Sequence, residues 1–174
     1  MFLQSVIEGY TWFMEGVNQY YSALIMMKAK TEAPLKSLSD FYFNEYTKKH
    51  TKLDAPLKGI TRFPDNWEKE EFLAYRKGSL AAMLLDLEIR RLTNRKASLN
   101  DLLSALFKTH GQFKGDKITD EVIEKTASAV AGKSMKAFFN KYIYTNTRYE
   151  MDALFGDDDG DGTCNAAEEL ADTE

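Results

Sequence analysis

The chain has 174 residues, of which 44% are hydrophobic and 13% aromatic, and it contains one cysteine, Cys164. This composition excludes a disordered chain and an internal disulfide, and the length fits one domain with a substantial core. Residues 157–174 hold eight acids and no base, so the net charge of −4 comes from this segment. The bases of the remaining chain are scattered along the predicted helices, which indicates a solvated surface and gives no sign of a nucleic-acid-binding face.

Two features of the sequence also bear on membranes and secretion. No apolar run reaches the roughly 18 residues of a membrane-spanning helix. The first five residues, Met1–Ser5, lack the basic region and the cleavage site of a signal peptide. We therefore expect neither a membrane span nor a secretory leader at this position.

The first part of the chain predicts two helices and a loop. Apolar residues at helical spacing predict a helix over 12–30, and Pro34 separates it from a second helix that runs from Leu35 to about His50. Residues 51–66 predict a loop, because they contain Pro56, Gly59 and Pro64. Asp65 or Asn66 is expected to cap a helix that begins at Trp67.

The second part of the chain predicts a series of helices and no strand. Residues Gly78–Leu92 are nearly all apolar, which predicts a buried helix. Ser98 and Asp101 form a capping-box pattern that begins a helix ended by Gly111, and Thr119 caps a helix over 120–131 that Gly132 ends. Ser134 is expected to cap a helix over 135–144, and a short helix is expected around 147–155. The fold class predicted is all-α.

Two short segments combine a polar residue with an adjacent glycine. The first is Trp12-Phe13-Met14-Glu15-Gly16, which is followed by Tyr20 and Tyr21. A carboxylate fixed on a helix next to a glycine can serve as a hard metal ligand that a partner helix approaches closely. The alternative is an ordinary acid near a helix N-terminus, favoured by the helix dipole and followed by core aromatics.

The second segment is Tyr75-Arg76-Lys77-Gly78, at the head of the predicted buried helix. Taken alone, Tyr75 is better interpreted as an ordinary tyrosine at the edge of the core.

The two segments in this order resemble the glycyl-aminopeptidase type of gluzincin zinc metallopeptidases. That family has the pattern Trp-x-x-Glu-Gly-x-Thr-x-Tyr-Tyr, which this chain matches except at Asn18, and then Tyr-x-Lys-Gly before a leucine-rich helix. The resemblance covers about residues 8–155. It implies a helical bundle like the C-terminal subdomain of thermolysin-like peptidases, with Glu15 as the third zinc ligand and Tyr75 as the hydroxyl that stabilises the oxyanion.

One part of the family pattern is missing from this chain. His-Glu-x-x-His, which supplies two zinc ligands and the general base, does not occur, and His50 and His110 are isolated and expected at the surface. One carboxylate cannot hold zinc, so the chain alone is expected to be inactive, and its expected partners are the missing N-terminal half of the peptidase domain and a peptide substrate. The alternative is a non-catalytic helical interaction module with a calcium-binding loop.

The acidic segment fits the pattern of a twelve-residue calcium loop. The predicted ligands are Asp157, Asp159, Asp161, the backbone carbonyl of Thr163, and Glu168, with Gly162 at the sharp turn and Asn165 at the ninth position. The alternative is a disordered acidic tail or linker. We therefore divide the chain into a helical part, residues 1–155, and an acidic calcium loop or linker, residues 156–174. An occupied calcium loop would favour a periplasmic or extracellular location.

Overall fold

The computed structural model describes residues 11–29, 55–60, 73–111, 117–147, 149 and 170. These residues form five α-helices and two π-helical turns and contain no strand, which confirms the all-α class. The helices are α1 (Thr11–Lys28), α2 (Gly78–Leu92), α3 (Leu99–His110), α4 (Asp120–Ala131) and α5 (Lys136–Phe139), and the π turns are Leu73–Lys77 and Asn140–Tyr144. The predicted helix over 35–50 and the predicted helix start at Trp67 lie outside the described residues.

Helix α2 lies at the centre of the described fold. Ten of its fifteen residues are buried, because its sequence is apolar on nearly every side. It packs against α1 along much of its length and also contacts α3 and α4. The first π turn leads directly into it, so α2 begins without a side-chain cap. The predicted bounds of this helix are confirmed.

Helices α3 and α4 begin at the predicted caps. The Ser98 hydroxyl accepts a hydrogen bond from the Asn100 N–H, and the Asp101 carboxylate accepts one from the Ser98 N–H at 2.8 Å. The N–H of Val122 donates to the Thr119 hydroxyl at 3.3 Å. Both signals are local in sequence, which is why they could be read before the structure was known.

The two glycines that end these helices act differently. Gly132 has a φ of 66°, the left-handed conformation that a C′ glycine usually supplies. Gly111 has a φ of −77°, so the prediction of its position is confirmed but a left-handed cap is not. A Cβ at Gly111 would lie 2.5 Å from the Phe107 carbonyl oxygen and 2.7 Å from the Phe107 ring. Glycine is required at this position because a side chain would clash with Phe107, and not because of its backbone conformation.

The end of the helical part differs from the sequence expectation. Helix α5 begins at Lys136, one residue after the predicted start, and changes to a π turn at Asn140. The Ser134 hydroxyl accepts a hydrogen bond from the Lys136 N–H at 3.4 Å, while Met135 occupies the cap position. The predicted helix around 147–155 is wrong at Thr147 and Tyr149, because neither residue is helical.

The loop at 55–60 packs against the last part of the described fold. The N–H groups of Leu57 and Lys58 both donate to the Ile143 carbonyl in the second π turn, at 2.9 and 3.0 Å. The Lys58 ammonium pairs with the Glu121 carboxylate at 2.7 Å, on the first turn of α4. Residues 55–60 are not helical, in agreement with the predicted loop, and the rest of 51–66 lies outside the described residues.

Candidate functional site

Helices α1 and α2 meet at a contact between two glycines. A Cβ on Gly16 would overlap the carbonyl group of Gly78, and a Cβ on Gly78 would lie 2.7 Å from the Trp12 carbonyl oxygen. Glycine at both positions therefore lets the two backbones touch, which no other residue pair permits. Glu15 lies next to this contact, and Tyr75 lies one turn before it. The structure thus brings the two sequence motifs to one helix crossing.

Tyr75 belongs to the first π turn and is half-buried. Turns of this type occur often at functional sites. Lys77, at the end of the turn, is completely buried, and its ammonium donates to the Ala55 carbonyl at 2.7 Å and lies 5.1 Å from the centre of the Tyr149 ring. The lysine of the Tyr-x-Lys-Gly motif therefore has a structural position, in which it ties the π turn to the loop at 55–60.

Glu15 is half-buried and lies in the second turn of α1, which has no acid in its first turn. The helix dipole acts within the first turn, so it does not account for a glutamate here. The neighbouring positions Asn18, Gln19 and Ser22 are exposed. The carboxylate is thus at the border between the core face and the solvent face of α1.

The two tyrosines of the first motif lie on a different side of α1 from Glu15. Tyr20 and Tyr21 lie about 140° and 120° around the helix from Glu15. The Tyr20 hydroxyl donates to the Asp86 carboxylate at 2.8 Å, and the Tyr21 hydroxyl donates to the Asn100 side-chain oxygen at 2.6 Å. These rings connect α1 to α2 and α3.

Asp86 is the centre of a buried polar cluster that the sequence analysis missed. Its carboxylate accepts hydrogen bonds from Tyr20 and from the Leu99 N–H at 2.7 Å, and it pairs with the Arg90 guanidinium at 3.1 Å. Burial and the negative charge of Asp86 raise the pKa of Tyr20 above its usual range, so this phenol stays a neutral donor. An aspartate between leucines, Leu85-Asp86-Leu87, in the apolar run Gly78–Leu92 was the signal for a buried partner.

Asp120 is a second buried carboxylate. It accepts a hydrogen bond from the Trp12 indole N–H at 2.6 Å and one from the Gly59 N–H at 3.2 Å. Burial raises the pKa of Asp120 to about 6, although both hydrogen bonds act in the opposite direction. From the sequence, Asp120 was expected only as the first residue of the helix over 120–131. In the structure its carboxylate also connects α4 to α1 and to the loop at 55–60.

The described residues do not complete a metal site. Among them, no group of three His, Cys, Asp or Glu side chains is close enough together to hold a metal ion. Glu15 therefore fits zinc only as one ligand of a larger set. The predicted calcium ligands Asp157, Asp159, Asp161, Thr163 and Glu168 lie outside the described residues.

The structure describes one of the two histidines. His50 lies outside the described residues. His110 is the last residue of α3, and it is half-buried, not exposed as expected. Its Nδ1 atom is buried and has no hydrogen-bond partner within the part of the chain that the structure describes.

Two clefts are lined by described residues. The larger, about 490 Å³, lies between the second half of α1 and the connection from α2 to α3, and the smaller, about 390 Å³, lies between α2 and α5. Neither Glu15 nor Tyr75 lines these two clefts. Of the described helices, none combines the length and apolar character needed to cross a membrane.

Comparison of the chain with protein-family models, with curated proteins and with solved structures finds no match. The functional assignment therefore depends on the residues and their arrangement.

Proposed function

We propose that this chain is the C-terminal helical subdomain of a zinc-dependent aminopeptidase of the gluzincin type, similar to the C-terminal subdomain of thermolysin-like peptidases. Glu15 is its third zinc ligand, and Tyr75 donates a hydrogen bond to the oxyanion that forms when a peptide carbonyl is attacked. The two imidazoles and the general base come from a His-Glu-x-x-His segment outside this sequence. The chain alone is inactive, and its partners are that segment and a peptide substrate.

The observation that carries this proposal is the contact between Gly16 and Gly78. Gly16 of the Glu-Gly pair touches Gly78 of the Tyr-x-Lys-Gly segment, 62 positions later in the sequence, which supports a shared role of the two motifs. A catalytic carboxylate and phenol need rigid elements that fix their positions, and this backbone contact supports Glu15 and Tyr75 as such a pair.

A second observation is consistent with a missing partner. The large apolar side chains exposed on the described surface are Ile25 and Met26, which are 66% and 48% exposed in the last turns of α1. A subdomain that forms half of a cleft is expected to expose apolar surface where the other half packs.

The decisive experiment uses the source gene and the complete protein that it encodes. The reading frame before Met1 is sequenced, and an in-frame His-Glu-x-x-His segment a few tens of residues before Glu15 is the expected result. In the complete protein, Glu15→Gln is expected to lose bound zinc, with Glu88→Gln on α2 as the matched control. Zinc content is measured by elemental analysis and activity on aminoacyl substrates.

The role of Tyr75 is tested separately in the same protein. Tyr75→Phe is expected to lower kcat by about 100-fold or more while zinc is retained, because one oxyanion donor is lost. Tyr144→Phe is the control, because the Tyr144 hydroxyl donates a hydrogen bond to the Glu124 carboxylate of α4 at 2.6 Å, away from the helix crossing. Full activity in both Glu15→Gln and Tyr75→Phe would overturn the peptidase proposal.

A non-catalytic helical interaction module with a calcium-binding loop is the second candidate, and the 490 Å³ cleft beside α1 favours it. We propose that calcium, if bound, is held by the carboxylates of the acidic segment. Calcium is expected to raise the melting temperature of the full chain, and Asp157→Ala with Glu168→Ala is expected to abolish that rise. Equal melting temperatures of the wild type with and without calcium would exclude a calcium site that stabilises the fold.

A further inference from the structure

Lys77 is a completely buried lysine at the helix crossing, and neither zinc binding nor oxyanion stabilisation uses it. A buried ammonium is costly unless other groups replace the water that it loses. The Lys77 ammonium donates to the Ala55 carbonyl at 2.7 Å and lies 5.1 Å from the centre of the Tyr149 ring, within the range of a cation–π contact. Both partners lie outside the π turn and α2, so this side chain connects three separate segments.

The two partners of this ammonium are themselves held in place. Backbone N–H groups of the loop at 55–60 donate to the Ile143 carbonyl and to the Asp120 carboxylate. Tyr149 is completely buried, and its hydroxyl donates to the Tyr142 carbonyl at 2.6 Å. The ammonium is therefore attached to a fixed frame, through which it can hold the first π turn in one position.

The geometry of the first π turn determines the direction of Tyr75. In a π turn the backbone hydrogen bonds connect residues five positions apart, instead of four as in an α-helix. Gly78, directly after the turn, is fixed by its contact with Gly16. A change of the turn from π to α would therefore rotate Tyr75 and Lys77 around the helix axis relative to Gly78. Because this rotation would move the Lys77 ammonium away from its partners, those contacts oppose the change.

We propose that Lys77 is the positioning residue of Tyr75. Its buried ammonium holds the first π turn, and the turn fixes the direction from which the Tyr75 hydroxyl reaches the oxyanion. Lys77 itself does not touch the substrate. The effect on the reaction rests on the proposed peptidase function, whereas the coupling between Lys77 and the conformation of Tyr75 is a property of this chain alone. The two parts are therefore tested by separate measurements.

The coupling is measured first, in the full chain and without activity. Fluorotyrosine incorporated only in place of Tyr75 gives a fluorine NMR signal that reports the surroundings of this ring. Lys77→Met keeps an apolar stem of similar size and removes the ammonium, and it is expected to shift this signal by more than its linewidth. Lys58→Met is the matched control, because Lys58 ties the same loop to Glu121 at 2.7 Å, and it is expected to leave the signal unchanged.

A second variant tests the same attachment from its other side, and it decides the question if Lys77→Met does not fold. Tyr149→Leu removes the ring beside the ammonium and is expected to shift the fluorine signal as well. An unchanged signal in each of these two variants that folds would overturn the proposal. An equal shift in Lys58→Met would also overturn it, since the signal would then report the loop in general and not the Lys77 ammonium.

The effect on the reaction is measured in the complete protein. Lys77→Met is expected to lower kcat by about 10- to 100-fold with zinc content and KM unchanged, because a catalytic hydroxyl is misplaced. Added to Tyr75→Phe, it is expected to cause no further loss, since the hydroxyl that it positions is already absent. Losses that multiply in the double variant would overturn the positioning role. If Tyr75→Phe alone leaves kcat unchanged, the peptidase proposal fails, and the fluorine signal still decides whether Lys77 positions Tyr75.

Discussion

Helices α3 and α4 differ from α2 in how each of them begins. Helices α3 and α4 begin at side-chain caps, and each cap is formed by residues within three positions of one another. Helix α2 has no side-chain cap, and its position against α1 depends on contacts between residues more than 60 positions apart. Both candidate site residues, Glu15 and Tyr75, belong to the second kind of region.

This difference shows where the geometry of the candidate site is determined. Gly16 meets Gly78 near the start of both helices, and Tyr20 meets Asp86 further along them, so α1 and α2 run in the same direction. The Trp12–Asp120 bond adds α4 to the same assembly. Tertiary contacts are therefore expected to dominate stability around the site, whereas caps are expected to have local effects of about 1 kcal/mol.

The largest expected effect comes from removing Asp86. Asp86→Ala is expected to lower the free energy of unfolding by about 3–5 kcal/mol, because it leaves the Arg90 charge, the Leu99 N–H and the Tyr20 hydroxyl without their buried partner. Chemical denaturation measures the change. Glu88→Ala, two positions away on the same helix, is the control, because Glu88 pairs with the exposed Arg91. Similar losses in both variants would contradict a special role for the buried cluster.

The next largest effect is expected at the glycine contact. Gly16→Ala is expected to destabilise the fold by about 3 kcal/mol, because the new methyl group overlaps the Gly78 backbone and must push the helices apart. Gln19→Ala, at an exposed position of the same helix, is the control and is expected to be neutral or slightly stabilising. A neutral Gly16→Ala in the same denaturation experiment would show that the helices do not touch here.

The buried carboxylate of Asp120 predicts a dependence of stability on pH. Its pKa in the folded state is about 6, above its ordinary value, so the folded state holds this proton more tightly than the unfolded state does. The stabilisation from this group is complete below pH 4 and is lost as the pH rises through 6, by at most about 3 kcal/mol. Asp120→Asn removes the titration.

The measurement is the free energy of unfolding of both proteins between pH 4 and pH 7. The difference between wild type and Asp120→Asn is expected to change across this range, and the slope isolates Asp120 from all other groups. Equal slopes in the two proteins would mean that the Asp120 carboxyl titrates in the folded chain as it does in water.

The same contrast explains how much could be predicted from the sequence. The bounds of α2, the caps Ser98 and Thr119 and the stop at Gly132 were predicted, because each is set by residues close together in the chain. The π turns, the partners of Asp86 and Asp120 and the burial of Lys77 were not predicted. Each depends on which distant residue the fold brings close, and neither periodicity nor spacing carries that information. Glu15 and Tyr75 were selected through a resemblance, and their shared crossing became visible only in the structure.

The smallest expected effect tests the local side of the comparison. Ser98→Ala removes the hydroxyl that accepts from the Asn100 N–H, which is expected to cost about 1 kcal/mol, since the N-terminus of α3 then relies on water. Ser98→Asp keeps an acceptor at the cap and is expected to recover most of the loss. Amide hydrogen exchange should show faster exchange in the first turn of α3 and unchanged protection in α1 and α2. Increased exchange at Gly16 or Gly78 would show instead that the cap is coupled to the helix crossing, and that the two regions are stabilised together.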